Sequence, residues 1–106
     1  MGYQVTTEGD KVVIHLDGDI DLEKSPAVRK LLLENIDGRD VVVSLEKVDY
    51  IDSSGVASLV EALQTAKQKN CQLVLASLSL KVERVLQVAR LDKVFTIAST
   101  VEEALG

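Results

Sequence analysis

Apolar residues near the start of the chain recur at every second position. Val12, Ile14 and Leu16 follow this period, which predicts a β-strand with one buried face. A weaker alternation over residues 3–7 predicts a strand before it, and the turn-forming residues 8–10 lie between the two. The pattern therefore predicts a β-hairpin at the start of the chain.

A helical period replaces this alternation further along. Ser25 is expected to cap a first helix, with Pro26 at the first helical position, and the turn at residues 37–38 is expected to end it. The later helices are predicted from about Ser54 to Lys69, over residues 82–89, and after the capping-box pattern of residues 100–103. The pattern thus predicts four helices.

Three short apolar runs separate these helices, at residues 41–45, 72–76 and 94–97. The first two lack alternation, which is typical of strands covered on both faces in a parallel sheet. Strands that alternate with helices imply right-handed βαβ crossovers. We therefore predict an α/β fold in one domain, residues 1–106, with the element order β-β-α-β-α-β-α-β-α. Its mixed, mostly parallel sheet has about four to five strands.

The charge and composition of the chain exclude several classes of function. There are 12 basic and 17 acidic residues, which gives a net charge of −5, and aromatic residues make up only 3%. Nucleic-acid binding needs a basic surface or a stacking platform, so we expect none. No apolar run is long enough to span a membrane, and residues 1–10 lack the pattern of a signal peptide. We therefore expect a cytoplasmic protein, not inserted in a membrane, that acts by binding other proteins.

Few side chains suit catalysis or metal binding. The one cysteine, Cys71, is expected at the start of a buried strand, and the one histidine, His15, on the more exposed face of its strand. The acidic residues 17–23 lack the spacing of a calcium-binding loop, and no P-loop motif occurs. We therefore expect no enzymatic activity, no metal, no cofactor and no small-molecule substrate.

Residues 48–60, between a buried strand and the second helix, hold the most informative segment. Partners of open α/β sheets gather at such carboxyl ends of strands. A serine at a helix N-terminus faces free backbone N–H groups and the positive end of the helix dipole, so the fold would tolerate a phosphate there. The phosphate would add a charge of about −1.5 to −2 near Asp52 and Asp21, and would repel a partner that binds the neutral hydroxyl.

The same segment also has a purely structural interpretation. Asp52, Ser53 and Ser54 are all of residue types that cap helix N-termini, and the string Asp-Ser-Ser-Gly is weak as a bare pattern. Spacing alone leaves both interpretations open.

The motif is one of several segments along the chain that together form a wider sequence pattern. These segments are residues 16–21, 41–45, 48–56, 73–76, 81–86, 91–95 and 100–105. Over nearly the whole chain this pattern resembles the STAS-domain family, of the bacterial anti-sigma factor antagonist type. The most specific part of the resemblance is the motif at residues 52–55, in its position between strand and helix.

The resemblance implies a regulator without catalytic activity. Unphosphorylated members bind an anti-sigma factor that is also a serine kinase, and thereby release the sigma factor. The kinase uses ATP to phosphorylate the serine after the motif aspartate, which corresponds to Ser53, and a PP2C-type phosphatase reverses the step. The implied acidic positions are Asp52 and Asp21. The surface expected to bind the partner comprises Asp21, Asp52, Ser53, Ser54, Gly55, Val56, Ala57 and Val60.

A second function also fits the resemblance. Other STAS proteins bind the ATPase of a lipid-trafficking ABC transporter through the same helix face, without turnover of a phosphate. The identity of the partner would distinguish a regulator from such a transporter subunit.

Overall fold

A five-stranded β-sheet lies at the centre of the computed structural model, which describes residues 3–106. The elements are β1 (Gln4–Glu8), β2 (Lys11–Ile20), α1 (Ser25–Asn35), β3 (Val41–Ile51), α2 (Ser53–Gln68), β4 (Leu73–Ala76), α3 (Leu80–Val88), β5 (Thr96–Ala98) and α4 (Val101–Leu105). The predicted α/β fold, the mixed sheet and the order of the elements are confirmed.

The strands lie in the sheet in the order of the sequence, with β1 antiparallel to β2 and all other neighbours parallel. The three βαβ crossovers therefore advance in one direction, and right-handed crossovers of this kind place their helices on the same face. Buried residues of α1, α2 and α3 accordingly share one core cluster with β2, β3 and β4. The short helix α4 covers part of the other face, against Val13, Val42 and Ala76.

The central strand β3 is covered on both faces, as its continuous apolar run predicts. All five residues of Val41–Leu45 are buried. Val41, Val43 and Leu45 belong to the core beneath the first three helices, whereas Val42 packs in the cluster below α4. The absence of alternation in this run thus reflects burial on both sides.

Strands β2 and β3 extend well beyond their apolar patterns. They stay paired as far as Ile20 and Ile51, but the register shifts twice along the way. Gly18 has a φ of 72°, a left-handed conformation that favours glycine. The irregular pairing explains why the alternation stops at residue 17 although the strand continues. This extension carries the start of α2 beyond the end of β4.

The expected helix cap at Ser25 is wrong. Ser25 is the first residue of α1 and is buried, and Lys24 occupies the cap position without a side-chain hydrogen bond. The preceding turn is instead closed by Asp21, whose Oδ1 accepts a hydrogen bond from the backbone N–H of Lys24 at 3.0 Å. Aspartate and serine side chains can both accept hydrogen bonds from nearby backbone N–H groups, so either residue could have closed this turn. Pro26 is the second residue of the helix, still in its first turn but one position later than expected.

The fourth and fifth strands begin later than predicted. Cys71 precedes β4 and is half-buried at the margin of the core, with its Sγ 3.4 Å from the carbonyl oxygen of Lys69. The apolar pair Val94-Phe95 lies before β5, because Phe95 packs into the core from a turn. The capping box at the start of α4 is present: Thr100 Oγ1 accepts a hydrogen bond from the N–H of Glu103 at 3.0 Å.

Candidate functional site

The turn between β3 and α2 is organised by the carboxylate of Asp52. Its Oδ1 accepts hydrogen bonds from the backbone N–H of Ser54 at 2.9 Å and of Gly55 at 3.1 Å, and from the Ser54 hydroxyl at 2.6 Å. The backbone bonds satisfy donors that the first turn of a helix otherwise leaves unpaired. The bond from the Ser54 hydroxyl, and then those from the backbone, lower the pKa of Asp52 by stabilising its charged form. Of the three candidates in the sequence, Asp52 is therefore the helix cap.

The two serines of the motif have different surroundings. The Ser54 side chain is half-buried and its hydroxyl is bonded to Asp52. The Ser53 side chain is exposed at the first position of α2 and takes no part in the hydrogen bonds of the turn. An enzyme that modifies a hydroxyl at this turn would reach Ser53 without disrupting the cap.

The loop after β2 lies against this turn. The backbone N–H of Asp52 donates to the carbonyl of Ile20 at 3.1 Å, and the N–H of Leu22 contributes to the lowered pKa of Asp52. Asp21 lies between these two residues in the sequence, so its loop meets the start of α2 as expected. The Asp21 carboxylate accepts a hydrogen bond from Lys24, while the Leu22 side chain is 76% exposed. The loop therefore places an acidic side chain, Asp21, and an exposed apolar side chain, Leu22, near the start of α2.

Gly55 allows α2 to approach the strands closely. A Cβ atom there would lie 2.6 Å from Cγ1 of Ile51 and 2.8 Å from both Cγ2 and the carbonyl oxygen of Ile20. Those distances are too short for any side chain without a shift of the helix. Gly55 is buried, so its place in the motif has a packing reason.

An open groove of about 570 Å³ lies beside Ser53, between the start of α2 and helix α3. We call it the α2–α3 groove. Val56, which is only 8% exposed, lies at its α2 side, and Val85 and Val88 line it from α3. Tyr50 and Val88 expose 51% and 80% of their surface. An apolar groove beside an exposed hydroxyl is a surface that suits a protein partner.

Two basic side chains of α3, Lys81 and Arg84, also line the α2–α3 groove. The helical spacing of apolar residues in the sequence indicated the face of α3 that packs in the core, but not the face that lines the groove. Val85 contributes to both, because it packs against the core and lines the groove. One feature of the sequence could have indicated the groove: Val88 is apolar, but it does not share the helical spacing of the buried residues Val82 and Leu86.

The opposite side of α2 faces α1. Ala57 is exposed there above a smaller groove of about 290 Å³, whereas Val60 is half-buried against the core. Across this helix pair, Arg29 Nε donates to both carboxylate oxygens of Glu61 at 2.8 and 2.9 Å. The hydrogen bond raises the pKa of Arg29 and lowers that of Glu61. The expected partner-binding positions thus divide between two sides of α2.

The remaining chemical candidates lie elsewhere. His15 is half-buried and lines a polar cavity of about 140 Å³ that shares no residue with the α2–α3 groove. Within residues 3–106, no three His, Cys, Asp or Glu side chains are grouped so that they could hold a metal ion. No helix in this part of the chain is both long and apolar enough to cross a membrane.

The arrangement defines a class of molecule: a small α/β domain that presents a free serine hydroxyl at the start of a helix, next to an apolar groove. Residues 3–104 match the model of the STAS domain, so the chain belongs to the STAS domain family. The resemblance seen in the sequence is therefore confirmed.

Several relatives of this chain are named anti-sigma factor antagonists. An anti-sigma-B factor antagonist from Listeria monocytogenes is 28% identical over 99 residues, which cover 92% of this chain and 87% of the relative. The structure of an anti-sigma-factor antagonist (STAS) domain protein from Planctomyces limnophilus has a TM-score of 0.85 and 26% identity, and the match covers 97% of this chain and 94% of the other.

The Bacillus protein SpoIIAA, an anti-sigma factor antagonist, has the same fold. Its unphosphorylated form has a TM-score of 0.82 at 23% identity, over 98% of this chain and 93% of that one. Its phosphorylated form has a TM-score of 0.75 at 23% identity, over 98% and 96% of the two chains. At this identity, the likeness shows the fold alone.

Proposed function

We propose that this protein is an anti-sigma factor antagonist whose binding is switched off by phosphorylation at Ser53. In its unphosphorylated form it binds an anti-sigma factor that is also a serine kinase, and the sigma factor is released. The observation that carries the proposal is the exposed Ser53 hydroxyl, which lies beside the α2–α3 groove and outside the cap of the helix. The names of the Listeria and Planctomyces relatives support it.

The modification step has simple chemistry. The kinase transfers the γ-phosphoryl group of ATP to Ser53 Oγ: the Oγ–P bond forms, the bond to ADP breaks, and a base of the kinase accepts the hydroxyl proton. The added charge of about −1.5 to −2 repels a partner that had bound the neutral hydroxyl. A PP2C-type phosphatase hydrolyses the ester and restores the hydroxyl. SpoIIAA, which shares this fold, has been solved in a phosphorylated and an unphosphorylated form.

In this cycle the chain supplies a binding surface and no catalysis. It needs no cofactor, because the kinase and the phosphatase provide the reacting groups. Since the partners act on a sigma factor, we place the protein in the cytoplasm with the transcription machinery. Nucleic acid is contacted by the sigma factor and not by this acidic domain, whose net charge is −5.

The proposed contact surface combines the predicted positions with groove residues from α3. Ser53, Val56 and the exposed side chains of the Asp21 loop contact the kinase on one side of α2, together with Val85 and Val88. Ala57 extends the surface toward α1. Asp52, Ser54 and Gly55 hold this surface in shape, because their hydrogen bonds and close packing fix the start of the helix.

The test is a parallel capture experiment in lysate of the source organism. Tagged wild type, Ser53→Ala and Ser53→Asp serve as baits, and bound proteins are identified by mass spectrometry. We expect wild type and Ser53→Ala to retain a serine kinase of the anti-sigma type, and Ser53→Asp to lose at least about 90% of it, which corresponds to roughly 1.4 kcal/mol of binding free energy. The captured kinase, incubated with labelled ATP, should modify wild type but not Ser53→Ala.

Thr7→Asp provides the matched control, because it adds the same charge at an exposed position of β1. It should bind the kinase as wild type does. Equal retention of the kinase by Ser53→Asp and wild type would overturn the proposal. Equal retention of a transporter ATPase by both, with no kinase, would favour the role of a transporter subunit instead.

A further inference from the structure

Three chemically active side chains line the α2–α3 groove. Ser53 comes from the start of α2, and Lys81 and Arg84 come from α3. All three side chains are exposed. The groove thus brings the hydroxyl proposed for phosphorylation together with two cations of α3, although 26 residues, 54–79, separate Ser53 from the start of that helix.

The two cations have no acidic partner in the described part of the chain. The ion pairs found over residues 3–106 join Arg29 to Glu61 and Lys69 to Asp37. Neither pair involves a residue of the groove. Lys81 and Arg84 are therefore available to a new anion, and an exposed pair of like charges close together favours binding one.

Two acidic side chains near the groove, those of Asp52 and Asp21, are already engaged in hydrogen bonds. Asp52 also lines it, but its carboxylate accepts three hydrogen bonds that cap α2. The carboxylate of Asp21, in the adjoining loop, accepts the N–H of Lys24. A phosphate on Ser53 would thus meet two fixed carboxylates on the strand and loop side, and two unpaired cations on the α3 side. Coulomb's law therefore favours a phosphate that is turned toward α3.

We propose that the phosphoryl group of phosphorylated Ser53 pairs with Arg84, with Lys81 as a second cation, across the mouth of the α2–α3 groove. This inference rests on the proposed function for the phosphorylation itself. Arg84 is the main partner because a guanidinium can bind two phosphate oxygens at once, in a fixed geometry.

The pairing gives phosphorylation a second effect on the partner. Repulsion alone would leave the apolar lining of the groove open, including the 80% exposed Val88. A phosphate held by Arg84 covers that lining and removes a basic side chain from the surface. The modification then blocks the groove as well as adding charge, and it does so with groups of this chain alone.

The test uses protein with phosphoserine inserted at position 53 during translation, so that no kinase is needed. A ³¹P NMR titration measures the second ionisation of the phosphate, whose ordinary pKa is about 6. Pairing with a cation lowers this pKa. We expect Arg84→Gln to raise it by about 0.5 units and Lys81→Gln by less, with Arg84→Lys recovering part of the difference.

The matched control is Arg39→Gln, which removes the same group from an exposed turn between α1 and β3. It should leave the titration of the phosphate as in the unsubstituted protein. Equal pKa values in the Arg84→Gln and Arg39→Gln proteins would overturn the pairing. The outcome is independent of the proposed function, because a failure of the captured kinase to label Ser53 would overturn that function without altering this titration.

Discussion

Four consecutive residues of one motif have four different physical roles. Asp52 caps the helix, Ser54 donates its hydroxyl to that cap, and Gly55 leaves space for the strands. Only Ser53 has a polar group that the turn does not use. The sequence predicted the segment, but three residue types that all cap helices could not be ranked from spacing. The hydrogen bonds to Asp52 resolve that ambiguity, and they leave Ser53 available to an enzyme.

The cap makes the stability of the protein depend on pH in acid. Because the folded state lowers the pKa of Asp52, its contribution is present above the unfolded value of about 3.9 and is lost as the pH falls through the folded value. We expect Asp52→Asn to melt below wild type at pH 6, and the gap between the two melting temperatures to narrow as the pH approaches 3. Asp49→Asn, which removes an exposed carboxylate of β3, is the control and should show no such gap. A gap that is equally wide at both pH values would contradict the charged cap.

At the level of the elements, hydrophobic periods predict which segments become helices and strands, but not where β2 and β3 end. Pairing of these strands beyond residue 17 depends on backbone hydrogen bonds, on two register shifts and on Gly18, none of which leaves a period in the sequence. The cap of α1 was also predicted wrongly. Both Asp21 and Ser25 are of residue types that close turns, and in the structure Asp21 closes the turn whereas Ser25 is a buried residue of the helix.

The contact between α2 and the extended strands leads to a stability prediction. Gly55→Ala places a Cβ within 2.8 Å of Ile20 and Ile51, so the helix must move away from the strands. We expect a loss of about 1–3 kcal/mol in the free energy of unfolding, measured by urea denaturation. The control on the same helix is Ala57→Ser, at an exposed position, which should change the free energy by less than about 0.5 kcal/mol. Equal stability of the two variants would show that the close approach carries no cost.

For the whole molecule, the sequential strand order determines where the α2–α3 groove lies. Three helices crowd one face of the sheet, and the long strands β2 and β3 carry the start of α2 to one end of it. Helix α3 packs on the same face, so the groove between α2 and α3 opens next to Ser53. Neither the α2 pattern nor the α3 pattern alone indicates this groove, because it exists only once the crossovers have brought the two helices together.

The substitution Val88→Ala in α3 should weaken binding of the kinase without changing the stability of the fold. Val88 is 80% exposed, so Val88→Ala should change the free energy of unfolding by less than about 0.5 kcal/mol. If the α2–α3 groove receives the kinase, the same change removes apolar contact area at the interface, and we expect an affinity about three- to tenfold weaker by calorimetric titration with the captured kinase. Val5→Ala makes the same truncation on β1, at a side chain that is 42% exposed and does not line the groove, and should bind as wild type does. Equal affinities for the two variants would contradict the placement of the kinase against Val88 in the α2–α3 groove.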